Sequence, residues 1–135
     1  MRLSVYEYLI WEYVHKLFTG QPNNLTGDKF CLAFQNNGLE NFNCNKKDYN
    51  ALCKMKANNT IIRQQQIALN CSTDWNQYKN HCYKLFSLHM TNYQAQSYCH
   101  SKIQNSYLAD IKSNDEFEWI RSFLLNITNQ RVWVL

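Results

Sequence analysis

The sequence predicts a disulfide-bonded α+β fold, and three observations carry that prediction. Two stretches, about Asn92 to Lys102 and about Asn114 to Leu124, open with helix-start signatures. Thr91 with Gln94 and Ser113 with Glu116 each place a hydroxyl residue three positions ahead of a Gln or Glu. Short runs rich in β-branched and aromatic residues, separated by turn signals, read as strands. Six cysteines form an even set with no Cys-x-x-Cys pair and no zinc-type spacing, which implies three disulfides and an oxidising compartment.

At 135 residues the chain is long enough for one domain with a real core and too short for two. Four Trp, nine Tyr and seven Phe against three Gly and one Pro make a globular composition, not a disordered or repetitive one. The net charge of +4 is spread along the chain without a block of like charges, so it reads as a solvated basic surface and no nucleic-acid partner is expected. N-x-S/T sequons begin at Asn24, Asn58, Asn70 and Asn126. Cys71 is the middle residue of the Asn70 sequon, which hinders modification there if that cysteine is bridged. Asn24, Asn58 and Asn126 are therefore the candidate glycosylation sites. Sequons beside six cysteines point to a secreted protein or one on the extracellular side of the plasma membrane. The first ten residues make a poor signal peptide, because Glu7 interrupts any apolar stretch and no small-residue cleavage site follows. No transmembrane run is present either, so the export signal is expected to lie outside this sequence.

In chain order, residues 1–18 alternate aromatic and polar groups (Val5, Tyr6, Tyr8, Ile10, Trp11, Tyr13, Val14, Leu17, Phe18) and read largely as short strand. Thr19 to Asn24 is a turn-rich loop around Pro22. Phe30 to Phe34 reads as a strand, Asn36-Asn37-Gly38 as a turn, and Asn50 to Lys54 as a further strand; Asn37-Gly38 is the strongest hairpin signal in the chain. Residues 55–70 are polar and rich in Gln and Asn, and read as a linker with a helical turn at Ile61 to Ile67. Cys71 to Phe86 is a small hairpin, the two helices follow, and Arg131 to Leu135 is a buried strand after a loop at Asn129-Gln130-Arg131. In the second helix Phe117, Ile120 and Leu124 share one apolar face, so Ile120 and Trp119 read as core. Asp115, Glu116 and Glu118 read as a capped, solvated helix start.

The order Cys71, Trp75, Cys82-Tyr83, Ala95, Cys99, Leu108-Ala109-Asp110-Ile111, Glu116, Trp119-Ile120 and Val132-Trp133-Val134-Leu135 resembles the first half of a C-type lectin-like domain. Phe18 to Asn24, followed by Cys31, Asn36-Asn37-Gly38, Cys44 and Ala51-Leu52-Cys53-Lys54, resembles the second half of the same family. The resemblance implies a long-form C-type lectin-like fold of two helices and small antiparallel sheets. It also implies the bridges Cys71–Cys82, Cys31–Cys44 and Cys53–Cys99, and core positions for Trp75, Trp119 and Trp133, with Trp11 beside them. The chain thus runs as second half (1–54), linker (55–70) and first half (71–135). It is expected to be a fragment of a tandem array, a circular permutant or a domain-swapped dimer.

The family's sugar-binding members hold Ca²⁺ on oxygen ligands, and the same ion takes two sugar hydroxyls. Carried onto this chain, Gln21, Asn23, Glu40 and Asn41 supply oxygens at matching positions, while Lys29 stands where a carboxylate is required and Asp28 lies beside it. The acceptor pattern is a hybrid that leaves galactose versus mannose preference open. Weak or absent Ca²⁺ binding follows. Tyr13 and Phe18 flank the loop and read as strand packing. Enzyme chemistry is not expected, because His15, His81, His89 and His100 are scattered and none pairs with a Ser or Cys in a nucleophile motif. The expected function is extracellular recognition, through weak Ca²⁺-dependent carbohydrate or glycoprotein binding. The alternatives are Ca²⁺-independent protein binding and a truncated fragment of a multi-domain lectin with no function of its own.

Overall fold

The structure is a computed structural model that describes residues 30–135 except 36, 37, 64, 65, 103 and 129, and omits the side chains of residues 60–67. The strand expected within residues 1–18 and the loop from Thr19 to Asn24, with Trp11, Tyr13 and Phe18, lie outside the described residues.

The strands are β1 (Phe30–Gln35), β2 (Gly38–Asn43), β3 (Tyr49–Lys56), β4 (Asn58–Arg63), β5 (Gln66–Asn70), β6 (Asn76–Tyr78), β7 (His81–Met90), β8 (Tyr107–Leu108) and β9 (Val132–Trp133). The helices are α1 (Asn92–Lys102) and α2 (Asn114–Ile127). One sheet runs in the order β2-β1-β9-β3-β7-β6, with β8 also on β3; β4 and β5 form a separate two-stranded sheet. β3 holds this arrangement together: it pairs antiparallel with β7 and β8 and parallel with β9. Strands from residues 30–56 and from residues 76–133 therefore interleave in one sheet.

The two-residue side-chain period of a strand sorts the core into two layers. Tyr49, Ala51 and Cys53 of β3 pack with Ala33, Trp133 and Leu108, and with Ala95 and Cys99 of α1. Leu52 packs with Phe34, Val132, Val134 and Ala109, and with Phe117, Ile120 and Leu124 of α2. The sheet thus carries α1 on one face and α2 on the other. Trp133 is fully buried; it stacks on Tyr49 at 4.2 Å, and its indole N–H donates to the Met90 carbonyl at 2.9 Å. A buried donor so satisfied avoids the penalty of an unmade hydrogen bond. Trp75 and Trp119 are half-buried at the rims of the two layers.

Local chemistry explains the boundaries. α1 opens with a reciprocal capping box: Gln94 N–H donates to Thr91 Oγ1 (3.2 Å), and Thr91 N–H donates to Gln94 Oε1 (2.9 Å). In the β6–β7 hairpin, Tyr78 lies opposite His81, and Lys79 takes φ 52°, the left-handed geometry that two-residue loops require. β1 and β2 pair with Gln35 opposite Gly38, across the Asn36-Asn37 step. Three bridges, Cys31–Cys44, Cys53–Cys99 and Cys71–Cys82, tie the described chain, and Cys53–Cys99 joins β3 to α1.

Four sequence expectations change. The helical turn at Ile61 to Ile67 is replaced by the β4–β5 hairpin: Thr60-Ile61-Ile62 is a β-branched run whose strand preference the surrounding Gln and Asn obscure. Gly38–Asn43 forms β2, so Gly38, expected in the turn, opens a strand whose alternation Glu40 and Asn41 break. α2 continues to Ile127, because Leu125-Asn126-Ile127 contains no helix breaker. Glu116 is not part of a solvated helix start: it is buried, and its carboxylate accepts from Lys54 and from the Lys112 N–H, one residue ahead of the cap, instead of from the Ser113 N–H. Ser113 Oγ still accepts from Glu116 N–H at 3.1 Å, so only half of the second capping box forms.

Candidate recognition site

Of the residues expected to meet Ca²⁺, Glu40 and Asn41 lie side by side on β2, half-buried, opposite Ala33 and Leu32 of β1. Gln21, Asn23, Asp28 and Lys29 lie outside the described residues. Ca²⁺ takes six to eight oxygens, whereas this part of β2 offers one carboxylate and one amide. No group of three or more His, Cys, Asp or Glu that could hold a metal occurs among the described residues. Glu40 and Asn41 alone therefore do not complete a Ca²⁺ cage. The surface beside it is organised around a cation of its own: the Arg131 guanidinium lies 4.7 Å over the Phe42 ring and 5.3 Å over the Tyr49 ring and donates to Gln35 Oε1 at 2.6 Å. The Cys31–Cys44 bridge closes this hairpin at its base.

On the α2 side of the sheet lies a charged cluster built around Lys54, a residue for which the sequence predicts no role. Lys54 shares the parity of Leu52 on β3 and so points into the α2 layer, where it is 1 % exposed. Its ammonium donates to Glu116 Oε1 (2.7 Å), Asp110 Oδ1 (2.9 Å) and the Asp110 carbonyl (3.1 Å). The three donors of the ammonium are thus matched by three acceptors. Tyr83 and Tyr107 flank Lys54 on the neighbouring strands, and the Tyr83 hydroxyl donates to Glu116 Oε1 at 3.1 Å. Burial, followed by the charges of Asp110 and Glu116, pushes the Tyr107 phenol up to about 12; burial and Glu116 raise that of Tyr83 as well. A cleft of about 290 Å³ opens over the cluster, edged by Tyr78, Lys79 and His81. Lys54, Asp110, Glu116 and Tyr83 engage one another at its floor, so the arrangement fastens α2 to the sheet. A sequence signal did exist: a lysine closing the apolar run Ala51-Leu52-Cys53 requires buried carboxylate partners.

The other histidines of the described chain, His89 and His100, are exposed; His15 lies outside the described residues. His81 sits at the cleft mouth, its Nδ1 3.0 Å from Asn80 Oδ1. Burial, then the Lys54 charge, holds its pKa below the ordinary 6.5, with Lys56 acting the same way and Glu116 and Asp110 opposing. The unfolded chain therefore takes up this proton first as pH falls. The stability His81 contributes is complete above about pH 6.5 and is lost below it, through the folded-state pKa. Melting temperatures across this range should fall less steeply for His81→Gln than for the native chain; parallel curves would exclude His81 as the source.

A second cleft, of about 590 Å³, lies between the start of β4 and the turn after α1, with Asn58, Ser72, Gln104, Asn105 and Tyr107 in its lining. Of the candidate sugar acceptors, Asn58 and Asn126 are exposed, on β4 and α2, and Asn24 lies outside the described residues. No helix among the described residues is long and apolar enough to cross a membrane.

Against curated proteins, the chain is 29% identical over 70 residues to one component of Snaclec agkisacutacin from Deinagkistrodon acutus, a match that covers 50% of this chain and 46% of that protein. It is 33% identical over 63 residues to Snaclec B9 of Macrovipera lebetinus, covering 47% of this chain and 40% of that protein. It is 32% identical over 54 residues to one component of Snaclec coagulation factor IX/factor X-binding protein from Trimeresurus stejnegeri, covering 40% and 36%. The chain spans about half the length, or less, of the curated relatives it matches. No protein-family model matches, and no solved structure matches. The similarities point to a C-type lectin-like domain, and the α+β architecture with its three disulfides is consistent with that fold.

Proposed function

We propose that this chain is an extracellular recognition module of C-type lectin-like type whose ligand is a protein bound without Ca²⁺, and that its two segments make up one domain in permuted order. The observation that carries the reading is the interleaving of both segments in one sheet. β3 from the first segment lies between β7 and β9 from the second, and Cys53 of β3 is bridged to Cys99 of α1. Protein binding is supported by the relative whose name describes binding of coagulation factors IX and X. It is also supported by Lys29, an ammonium at a position where the sugar-binding pattern needs a carboxylate.

A non-reducing peptide map of the chain, expressed through an oxidising secretory route, tests the permutation. A monomer with Cys53 and Cys99 in one linked peptide is expected. Free thiols at these two positions would mean a fragment of a longer array, and an intermolecular Cys53–Cys99 link would mean a domain swap.

The second reading, Ca²⁺-dependent carbohydrate binding through Gln21, Asn23, Glu40 and Asn41, is favoured by the oxygen side chains at those four positions. Titration separates the two. No rise in melting temperature or change in Trp fluorescence is expected up to about 1 mM Ca²⁺, the upper range of extracellular Ca²⁺ modules. Lys29→Glu is expected to create a response in that range. A native chain that responds would move the assignment to carbohydrate, and a folded Lys29→Glu chain that stays silent would mean these residues do not form the loop.

A further inference from the structure

The base of the β4–β5 hairpin holds two features that the recognition reading leaves unused. Asn58 and Asn70, each the first residue of a sequon, are direct register partners across the hairpin. Directly opposed residues of an antiparallel pair project from the same face with Cβ atoms about 5 Å apart, so a branched sugar chain on one leaves no room for another on its partner. Asn70 is the disadvantaged member, because Cys71 in the middle of its sequon is bridged to Cys82 and its Ser72 lines the larger cleft. Asn58 is exposed and lies on the rim of that cleft.

We propose that Asn58 is the residue of this pair that carries an N-linked glycan, and that the cleft beside it holds the first N-acetylhexosamine of that glycan. The inference rests on the extracellular reading above. The cleft, about 590 Å³, falls within the roughly 300–1,000 Å³ of ligand-holding clefts. Ser72 brings a hydroxyl, and Gln104 and Asn105 bring side-chain amides, the partners that sugar hydroxyls and an acetamide require. Met55 and the Tyr107 ring supply apolar surface for the C–H face of the sugar. The site also has a structural use. β4 and β5 pair only with each other among the described strands, and a lone two-stranded hairpin is marginally stable in water. A sugar seated between Asn58 and the turn after α1 ties the hairpin to the body of the domain.

The test uses the chain secreted from a glycosylating host, with glycopeptide mass spectrometry and timed enzymatic release of glycans from the folded protein. Asn58 is expected to be occupied and Asn70 bare, and release at Asn58 is expected to be several-fold slower than at Asn126. After trimming to one sugar, a nuclear Overhauser contact is expected between its acetamide methyl and the Tyr107 ring. The variant Gln104→Ala with Asn105→Gly keeps the left-handed φ of 69° that glycine accepts, and should bring release at Asn58 up to the Asn126 rate. Sugar on Asn70 in place of Asn58, Asn58 bare beside an occupied Asn126, or equal release rates in the native chain each overturn the proposal. A secreted chain with free thiols and no sugar at any sequon defeats the extracellular reading itself, and the proposal with it.

Discussion

Replacing Lys54 by methionine is expected to cost about 3–5 kcal/mol of folding stability, the usual penalty for removing one partner of a buried ion pair. The substitution preserves most of the volume, so the loss is electrostatic: Glu116, 7 % exposed, and the Asp110 side chain, 23 % exposed, keep their negative charge with the ammonium gone. A second substitution separates this from damage to packing. Lys54→Met with Glu116→Leu removes the buried charge along with its partner, and buried pairs replaced by apolar residues are often neutral or better. The double variant should therefore recover most of the loss in a urea titration, although the Tyr83 hydroxyl then loses its acceptor. Equal losses in the single and double variants would mean that the uncompensated charge of Glu116 is not the source of the loss, and that the cluster does not secure α2 electrostatically.

The elements legible in the sequence were those specified locally. The α1 capping box needed only Thr91 and Gln94, and both hydrogen bonds form at the positions read from the chain. The α2 core face needed only the spacing of Phe117, Ile120 and Leu124, and all three are buried. What escaped was set by partners remote in sequence. Glu116 carries a perfect local signature for a capping box, yet a lysine 62 residues away takes its carboxylate, because an ion pair inside the core is worth more than a second cap at the surface. The β4–β5 hairpin was obscured for the opposite reason: its Gln- and Asn-rich composition gives no apolar period, and strand pairing came from a short β-branched run. The oxygen-ligand positions were legible only through resemblance. Glu40 and Asn41 on β2 supply too few oxygens by themselves to argue for an ion.

Removing the Cys53–Cys99 bridge, as Cys53→Ala with Cys99→Ala, is expected to cost more than removing either of the others. The bridge spans 46 residues, against 13 for Cys31–Cys44 and 11 for Cys71–Cys82. On the chain-entropy relation this is about 4 kcal/mol, against about 3 for each shorter loop. A small domain has only about 5–15 kcal/mol in all. Both cysteines are fully buried in the α1 layer beside Trp133, so alanine also leaves two sulfur-sized gaps, which deepens the loss. The comparison with Cys31→Ala/Cys44→Ala, by urea titration with the other bridges intact, tests more than one bridge. The long loop carries this extra stabilisation only if residues 30–56 and 71–135 close on each other within one molecule. If they served separate domains, Cys53 and Cys99 would restrain nothing within the chain, and their removal would leave the transition where it was while the short hairpin bridge kept its cost. The order of the two midpoints therefore decides between a domain that is closed on itself and two halves that are merely consecutive.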